Sequence, residues 1–243
     1  MEEFLKTWYG VLTFVAFDII ALVAVVCITY RWLFKRILDA VVAFLCLLVL
    51  SPLYAVILIR ACIAKKNGHI PSVLHKEKFV GKKGKTVALS QFAYENADGE
   101  IACAYGDWIH RAKIYKLAFL LDILLGKRSF IGCKALKESD CVFLTDEEEL
   151  RQNAPIGVIN PLVVTGTKDT DYEDMLLSDN AYAEKFSFFG DCKIFFTWLL
   201  KNIRGEGTEY LGSTQTCAYI DELLKDNRIT QEDYDEAKKQ DEQ

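Results

Sequence analysis

The sequence lacks the cysteine pattern of a zinc site. Its eight cysteines include no CxxC pair, which is the spacing that structural zinc sites commonly use. Several of the cysteines lie in apolar runs, so we interpret them as small buried side chains of a protein in a reducing compartment. The sequence therefore predicts no metal site built on cysteine.

An excess of basic residues is also missing. The chain has 29 Lys and Arg against 34 Asp and Glu, which gives a net charge of -5. Domains that bind nucleic acid are usually basic, so no nucleic-acid partner is expected. No internal repeat or low-complexity segment is present. Hydrophobic residues make up 51% of the 243 residues, which is ample for a core in one domain with appendages.

The first long apolar run extends from Trp8 to Phe34 and contains one acid, Asp18. At about 1.5 Å per residue, a helix of this length crosses a bilayer core of roughly 30 Å. The run is too long for a signal peptide and lacks its basic start and small-residue cleavage site. We predict an N-terminal transmembrane helix over residues 1–34. A buried core helix is the alternative.

A second apolar run, residues 37–64, is interrupted by Ser51-Pro52. Proline removes a backbone donor and clashes with the preceding turn, which predicts a kink. Basic residues flank both ends, and the positive-inside rule favours the same side for both. We therefore predict a kinked re-entrant helix over residues 35–66, with Lys35 and Arg36 at the cytoplasmic membrane face. A plain two-span hairpin is the alternative.

The next segment, residues 67–210, is predicted to be a cytosolic domain. A basic, glycine-containing run at residues 76–84 lies between two β-type stretches, which predicts a hairpin. Lys82, Lys83 and Lys85 are candidate contacts for a phosphate or a lipid headgroup, and a solvated turn is an equal alternative.

Apolar spacing predicts two longer helices in this domain. The first covers residues 111–125 as one amphipathic helix that ends at Gly126, with Asp122 as an exposed carboxylate. The second covers residues 182–204, whose aromatic face and flanking lysines suit a helix in the plane of the membrane interface. An ordinary core helix is the alternative for this second segment. Residues 155–166 between them are predicted to form a loop with short strands.

The tail, residues 211–243, contains two short helical patterns. Asn227 can end the first in a left-handed turn, and Thr230 with Asp233 resembles a cap for the second. We predict a helical hairpin here.

Four segments, taken in order, resemble the bacterial sugar transferases, the monotopic phosphoglycosyl transferases. They are residues 35–39 with Ser51-Pro52, then residues 78–85, 120–132 and 179–194. That family moves a sugar phosphate from a UDP-sugar to a polyprenol phosphate at the cytoplasmic membrane face. The resemblance implies an α/β, mostly α, fold with a re-entrant membrane helix and amphipathic interfacial helices. It also implies a place at the bacterial inner membrane, and the N-terminal membrane helix is an addition to this plan.

The departures from the family pattern fall on its chemistry. Tyr115-Lys116 replaces the family's Asp-Glu pair, whose Asp is thought to attack the phosphorus and whose acids gather magnesium. A tyrosine with a pKa near 10 is a poor nucleophile, and a lysine repels a divalent cation. Three further segments have lost family residues. The family's Lys-Phe-Arg corresponds to Gln91-Phe92-Ala93, and its Gly-Pro-Arg-Pro corresponds to residues 132–135, where Lys134 replaces the arginine. Its Pro-Gly-Ile-Thr-Gly loop corresponds to residues 156–160, and Val163 and Thr165 replace the Gln and Asn that follow it.

The resemblance and its departures together predict a non-catalytic homologue. It would serve as a structural or regulatory subunit in the synthesis of a polyprenol-linked glycan or exopolysaccharide. Its partners would be membrane lipid and either a second copy or an active transferase paralogue, because the tail resembles the family's oligomerisation hairpin. No catalytic residue is intact at the degenerate positions Tyr115 and Lys116, and no cofactor or metal is expected.

Two alternatives stay open. The first is an active transferase that uses magnesium with displaced acids at Asp122, Asp107 or Asp191. The second is a binding module for a UDP-sugar or a polyprenol phosphate, held by Lys116, by Lys134 and by the cluster Lys82, Lys83 and Lys85.

Overall fold

A long apolar helix lies near the start of the described part of the chain. The computed structural model describes residues 7–96, 99–101, 103–207, 209–215 and 218–242. In it, helix α1 covers Trp8–Thr29 and continues through a wider π-helical turn at Tyr30–Phe34 into helix α2, Lys35–Val49. Within these described residues, no single helix is both long and apolar enough to cross a membrane. The transmembrane helix over residues 1–34 stays a prediction, and its first six residues lie outside the described part.

The predicted kink at Ser51-Pro52 is confirmed. Helix α3, Ser51–Lys66, follows α2 after one turn residue, Leu50, and the two helices are bent by 72°. Pro52 has no N–H to continue the hydrogen-bond ladder of α2, so the axis changes direction there. Together the two helices have the length and composition of a membrane segment. Whether this segment enters a membrane stays a prediction.

The predicted hairpin is also confirmed, with a different extent. Strand β1, Leu74–Val80, pairs antiparallel with strand β2, Thr86–Phe92, and Val80 lies opposite Thr86. The turn is Gly81–Lys85, where Lys83 has a φ of 61° and Gly84 a φ of 68°. The basic run is therefore not all turn, because its lysines before Val80 lie within β1.

The prediction of one helix over residues 111–125 is wrong. Helix α4 covers Cys103–Arg111, and Lys113 then adopts a left-handed conformation that ends it. A 3₁₀ turn at Ile114–Ala118 leads into helix α5, Phe119–Leu124. Gly126 does end α5 as predicted, with a φ of 85° and a hydrogen bond from Lys127 N to Asp122 O of 2.9 Å.

A two-stranded parallel sheet forms from distant parts of the chain. Strand β3, Ser129–Ile131, pairs with strand β4, Gly157–Ile159, as expected for short strands in the 155–166 loop. Between and after them lie helix α6, Glu138–Cys141, and 3₁₀ turns at Glu148–Asn153 and Pro161–Val164. The described part of the chain is therefore a mostly helical α/β fold with two small sheets.

The predicted long helix over residues 182–204 is interrupted. Helix α7 covers Tyr172–Lys185 and helix α8 covers Phe188–Ile203. Ser187 separates them because its hydroxyl accepts a hydrogen bond from Gly190 N at 3.2 Å and caps α8. The apolar side chains Phe189, Phe196 and Ile203 of α8 are exposed. That face has the exposed apolar side chains expected of the predicted interfacial helix, and its contact with a membrane stays a prediction.

The two helices predicted in the tail are confirmed. After a 3₁₀ segment at Glu209–Gln215, helix α9 covers Tyr219–Lys225 and helix α10 covers Gln231–Glu242. Asn227 has a φ of 56°, and Thr230 Oγ1 accepts a hydrogen bond from Asp233 N at 3.2 Å. Ile220 N donates to Asp140 of α6, so the tail packs on its own chain. Its role in oligomerisation stays a prediction.

Among the residues that the structure describes, three clusters of buried apolar side chains form the core. The first lies under the bend between α2 and α3 and includes Ile57, Phe92 and Ile123. The second joins the parallel sheet to α7 and α8, and the third joins α7 to the tail. The first cluster thus packs the hairpin against α3, and the second packs the parallel sheet against α7 and α8.

Candidate functional site

Four of the segments that depart from the family pattern meet at one cavity. Its volume is about 300 Å³, and it is lined by Gln91 of β2, Lys116 of the 3₁₀ turn, Ala135 after β3 and Val158 of β4. We call it the Lys116 cavity. The other lining residues are Glu77, Phe79, Leu89, Ser90, Phe119 and Arg128. The tertiary structure thus brings together positions that are far apart in the sequence.

Close contact between two glycines holds two of these segments in place. A Cβ on Gly157 would lie 2.6 Å from both Cα and O of Gly132, and closer still to Gly132 N. Gly132 N donates to Ile159 O at 3.1 Å, and Gly157 N donates to Cys133 O at 2.9 Å. Only residues without a side chain allow the backbones to approach this closely. The contact fixes residues 132–135 beside the 156–160 loop.

Tyr115 packs in an aromatic cluster and does not line the Lys116 cavity. Its ring centroid lies 4.8 Å from that of Tyr94 and 5.9 Å from that of His110. Burial, with the Glu95 carboxylate nearby, raises the pKa of Tyr94 to about 12, so this neighbouring phenol stays neutral. Lys116 Nζ lies 5.6 Å from the Tyr115 ring. At the position where the resemblance predicts the family's acid pair, the cavity therefore receives a positive charge.

Asp122 is not an exposed carboxylate, so that prediction is wrong. Its side chain is fully buried. Oδ2 accepts a hydrogen bond from Ser90 N at 2.6 Å, Oδ1 accepts one from Ser90 Oγ at 3.1 Å, and Lys127 Nζ lies 3.7 Å away. The break at Lys113 turns α5 so that Asp122 faces β2. Its carboxylate joins the helix to the hairpin and is not directed into the cavity.

The other two candidates for displaced acids also lie elsewhere. Asp107 pairs with Arg111 on the surface of α4 at 2.6 Å. Asp191 is buried, accepts hydrogen bonds from Tyr30 at 2.5 Å and Tyr182 at 2.8 Å, and forms an ion pair with Lys35. Neither lines the Lys116 cavity.

Glu77 is the carboxylate that sequence reasoning missed. It lies opposite Leu89 in the hairpin and lines the Lys116 cavity together with Lys116 and Arg128. The register of the hairpin, which pairs Glu77 with Leu89, is the feature from which this position could have been predicted. Magnesium prefers several oxygen ligands, and two cations beside one carboxylate oppose its binding. In the described residues, no group of three or more His, Cys, Asp or Glu could hold a metal. The residues present do not fit the magnesium of the active family members.

Lys134 does not join the other candidate phosphate contacts. Its Nζ donates to the Tyr172 hydroxyl at 2.8 Å and to the carbonyl oxygen of Thr214, and it lies 4.4 Å from the Tyr172 ring. Its backbone N donates to Asp179 at 3.1 Å. The ammonium group is directed to α7 and the tail, so Lys134 does not line the Lys116 cavity. Its role as a phosphate contact stays a prediction.

Four other predicted basic residues do come together, in a second cavity of about 380 Å³ that we call the basic cavity. Lys82 and Lys85 of the hairpin turn line it with Lys35 and Arg36 of α2. Lys83 and Lys82 line a neighbouring cavity. Arg36 donates to the carbonyl oxygens of Leu124 at 2.8 Å and of Ile123, and so stabilises the C-terminal end of α5.

The cysteines differ in their environment. Cys133 is buried, and burial raises the pKa of its thiol well above the ordinary value. Cys62 and Cys103 are exposed. The interpretation as small buried side chains is therefore right for Cys133 and wrong for these two, because their helices turn them outwards.

Comparisons with known proteins identify the family of this chain. The family model of the bacterial sugar transferases matches residues 30–205. The exopolysaccharide production protein ExoY of Sinorhizobium fredii (strain NBRC 101917 / NGR234) is 22% identical over 189 residues, which cover 67% of this chain and 82% of that protein. The residues that the family model matches include both small sheets, the bent helix pair and the segments that line the Lys116 cavity. The chain belongs to the bacterial sugar transferase family.

Proposed function

We propose that this chain is a non-catalytic sugar transferase homologue that acts as a structural or regulatory subunit in exopolysaccharide or other polyprenol-linked glycan synthesis. One observation carries the proposal. Gln91, Lys116, Ala135 and Val158 come from the four segments that have lost family residues, and they line one cavity. The changes therefore coincide in space with the position of the family's acid pair.

The chemistry of phosphoryl transfer explains why this coincidence matters. A transferase must position a nucleophile and stabilise the charge on the transferred group, and the groups that do so act as a unit. Here the nucleophile position holds a tyrosine packed against Tyr94 and His110, and the position of the neighbouring acid holds Lys116. Restoring one part of such a unit restores little activity.

The site on the membrane is part of the same proposal. Helices α2 and α3, bent by 72°, would enter the membrane and return to its cytoplasmic face. The exposed side chains Phe189, Phe196 and Ile203 would lie at the interface. ExoY is named for exopolysaccharide production, which supports this type of glycan for the pathway.

The double variant Tyr115→Asp/Lys116→Glu is expected to remain inactive. It restores the acid pair but not the family residues lost in the segments 91–93, 132–135 and 156–160. The measurement is magnesium-dependent release of UMP from a UDP-sugar, in the presence of a polyprenol phosphate, by the purified full chain in detergent. A transferase with the intact pair serves as the positive control. Robust turnover by the double variant would contradict the proposal.

A second candidate function is that of an active enzyme whose acid is Glu77 on β1. The observation that favours it is that Glu77 lines the Lys116 cavity. We expect no UMP release from the unmodified chain. The chain is an enzyme with a displaced acid if the unmodified chain releases UMP, the Glu77→Gln variant does not, and the exposed control variant Glu100→Gln still does.

The regulatory role is tested by the complex in the native membrane. We expect a tag on this chain to co-purify a second transferase-like chain that retains the Asp-Glu pair. Recovery of this chain alone, or of its homo-oligomer, would remove that partner from the proposal.

A further inference from the structure

The Lys116 cavity contains charges of both signs that do not pair with one another. Glu77 of β1 lines it together with the cations Lys116 and Arg128. Among the ion pairs of the described residues, none joins Glu77 to either of these cations. Opposite charges that share a cavity of about 300 Å³ and stay apart can each bind a complementary group of a small ligand.

The present contacts of the first two charges are weak. Lys116 is exposed, and its Nζ lies 5.6 Å from the centre of the Tyr115 ring. Glu77 Oε1 lies 3.6 Å from Nε2 of His75, and both of these side chains are partly exposed to solvent. Contacts of charged groups at the surface contribute little free energy, because water screens them. A ligand therefore loses little by replacing these contacts.

Arg128 is the residue whose hydrogen bonds are incomplete. Its Nε is buried and has no hydrogen-bond partner among the described residues, and its Nη2 makes one long contact of 3.4 Å with Gly157 O. Burial lowers the pKa of Arg128, and the Asp122 carboxylate opposes that shift in part. A buried donor without a partner is costly, so an acceptor on a bound ligand would stabilise this guanidinium.

The remaining walls of the cavity are largely apolar. Phe79 and Leu89 of the hairpin, Phe119 of α5 and Val158 of β4 all line it. Small-ligand sites typically combine such walls with a few polar groups that fix the orientation of the ligand. The lining thus calls for a ligand with one positive group, one negative group and an apolar part.

We propose that the Lys116 cavity binds a free α-amino acid with an apolar side chain, as a regulatory ligand. Glu77 binds the ammonium group, and Arg128 with Lys116 binds the carboxylate, whose two oxygens match the guanidinium fork. The Glu77 carboxylate repels the second negative charge of a phosphate group, which disfavours a phosphate here. The proposal rests on the proposed non-catalytic function, because a chain that no longer transfers a sugar phosphate leaves this cavity available to another ligand.

The experiment is calorimetry with the purified full chain in detergent micelles. L-leucine and L-phenylalanine are the probes that carry both charges. Isocaproate is leucine without its amino group, and isoamylamine is leucine without its carboxylate. We expect leucine to bind at least about tenfold more tightly than either analogue, because each analogue loses a charge-assisted hydrogen bond. Inorganic pyrophosphate, the comparison anion, should bind more weakly than leucine.

Variants assign the two ends of the ligand. Glu77→Gln should weaken leucine binding at least about tenfold without weakening isocaproate binding, because isocaproate has no ammonium group. Lys116→Gln should weaken the binding of both severalfold, and the exposed position of Lys116 lets this variant test the site even if Arg128→Gln unfolds. The exposed control variants Glu100→Gln and Arg204→Gln should bind leucine as the unmodified chain does. Circular dichroism checks the folding of each variant.

Three results would overturn the amino-acid site. They are failure of both amino acids to bind the unmodified chain, binding of isocaproate or pyrophosphate that is as tight as that of leucine, and unchanged leucine affinity in folded Glu77→Gln and Lys116→Gln. A chain that binds neither amino acid and releases no UMP retains the proposed non-catalytic function. Release of UMP contradicts that function whatever the amino-acid titrations show, so the two failures are distinguishable.

Discussion

Replacing Asp179 with alanine is expected to lower the free energy of unfolding by about 3–5 kcal/mol. Asp179 is fully buried on α7, and Arg151 Nη2 donates to its Oδ2 at 2.5 Å. Lys134 N donates to the same oxygen at 3.1 Å, and Asn160 Nδ2 donates to Oδ1 at 3.0 Å. Alanine would leave the buried Arg151 charge without its carboxylate and two other donors without an acceptor.

The control is Asp174→Ala on the same helix. Asp174 is exposed in the first turn of α7, where a carboxylate contributes about 0.3–1 kcal/mol through the helix dipole. Urea unfolding of the detergent-solubilised chain, followed by tryptophan fluorescence, compares the two variants. Equal losses in both would show that the Asp179 network does not stabilise the fold. Replacing both charges, in Asp179→Leu/Arg151→Met, should cost less than Asp179→Ala, because no buried charge is left unpaired.

Replacing Gly157 with alanine is the second change with a large expected effect. We expect it to lower the free energy of unfolding by about 3 kcal/mol or more. The new methyl group would overlap the backbone of Gly132, which has no flexible side chain to move aside. Overpacking usually costs about 1–3 kcal/mol, and a clash with backbone atoms lies at the upper end or beyond it. The strands β3 and β4 would separate, and the lining of the Lys116 cavity would change with them.

Gly68→Ala separates the steric effect from the conformational one. Gly68 has a φ of 75° but open space around it, so alanine there meets only the left-handed backbone cost of about 1–2 kcal/mol. Thermal unfolding of both variants in the same detergent is the measurement. A Gly157→Ala variant as stable as Gly68→Ala would mean that the two strands do not approach as closely as described.

Local sequence signals predicted the elements that depend on neighbouring residues alone. Pro52 marks the bend because its missing N–H acts within one turn of the helix. Gly126 and Asn227 mark helix ends for a similar reason, since a left-handed residue ends a helix wherever it lies. The hairpin between β1 and β2 also formed as predicted, because its strands are close in sequence.

The same signals did not find the two helix breaks. Apolar spacing continued across Lys113 and across Ser187, yet Lys113 is left-handed and Ser187 caps a new helix. Neither residue is a strong helix breaker by type. Apolar spacing reports neither the left-handed backbone of Lys113 nor the hydroxyl cap that Ser187 forms with Gly190. The change at Lys113 also reversed the predicted environment of Asp122, which turned from solvent towards Ser90.

The sequence by itself determined the family resemblance and the bent helix pair, and it predicted the loss of the acid pair at Tyr115-Lys116, because ordered motifs and residue types carry that information. Only the tertiary structure decided that four degenerate segments share one cavity, that Glu77 enters it, and that Arg128 connects it to a basic one. These are contacts between residues up to about 80 positions apart. They arise from strand pairing, the Gly132–Gly157 approach and helix packing, which no local pattern of side chains specifies.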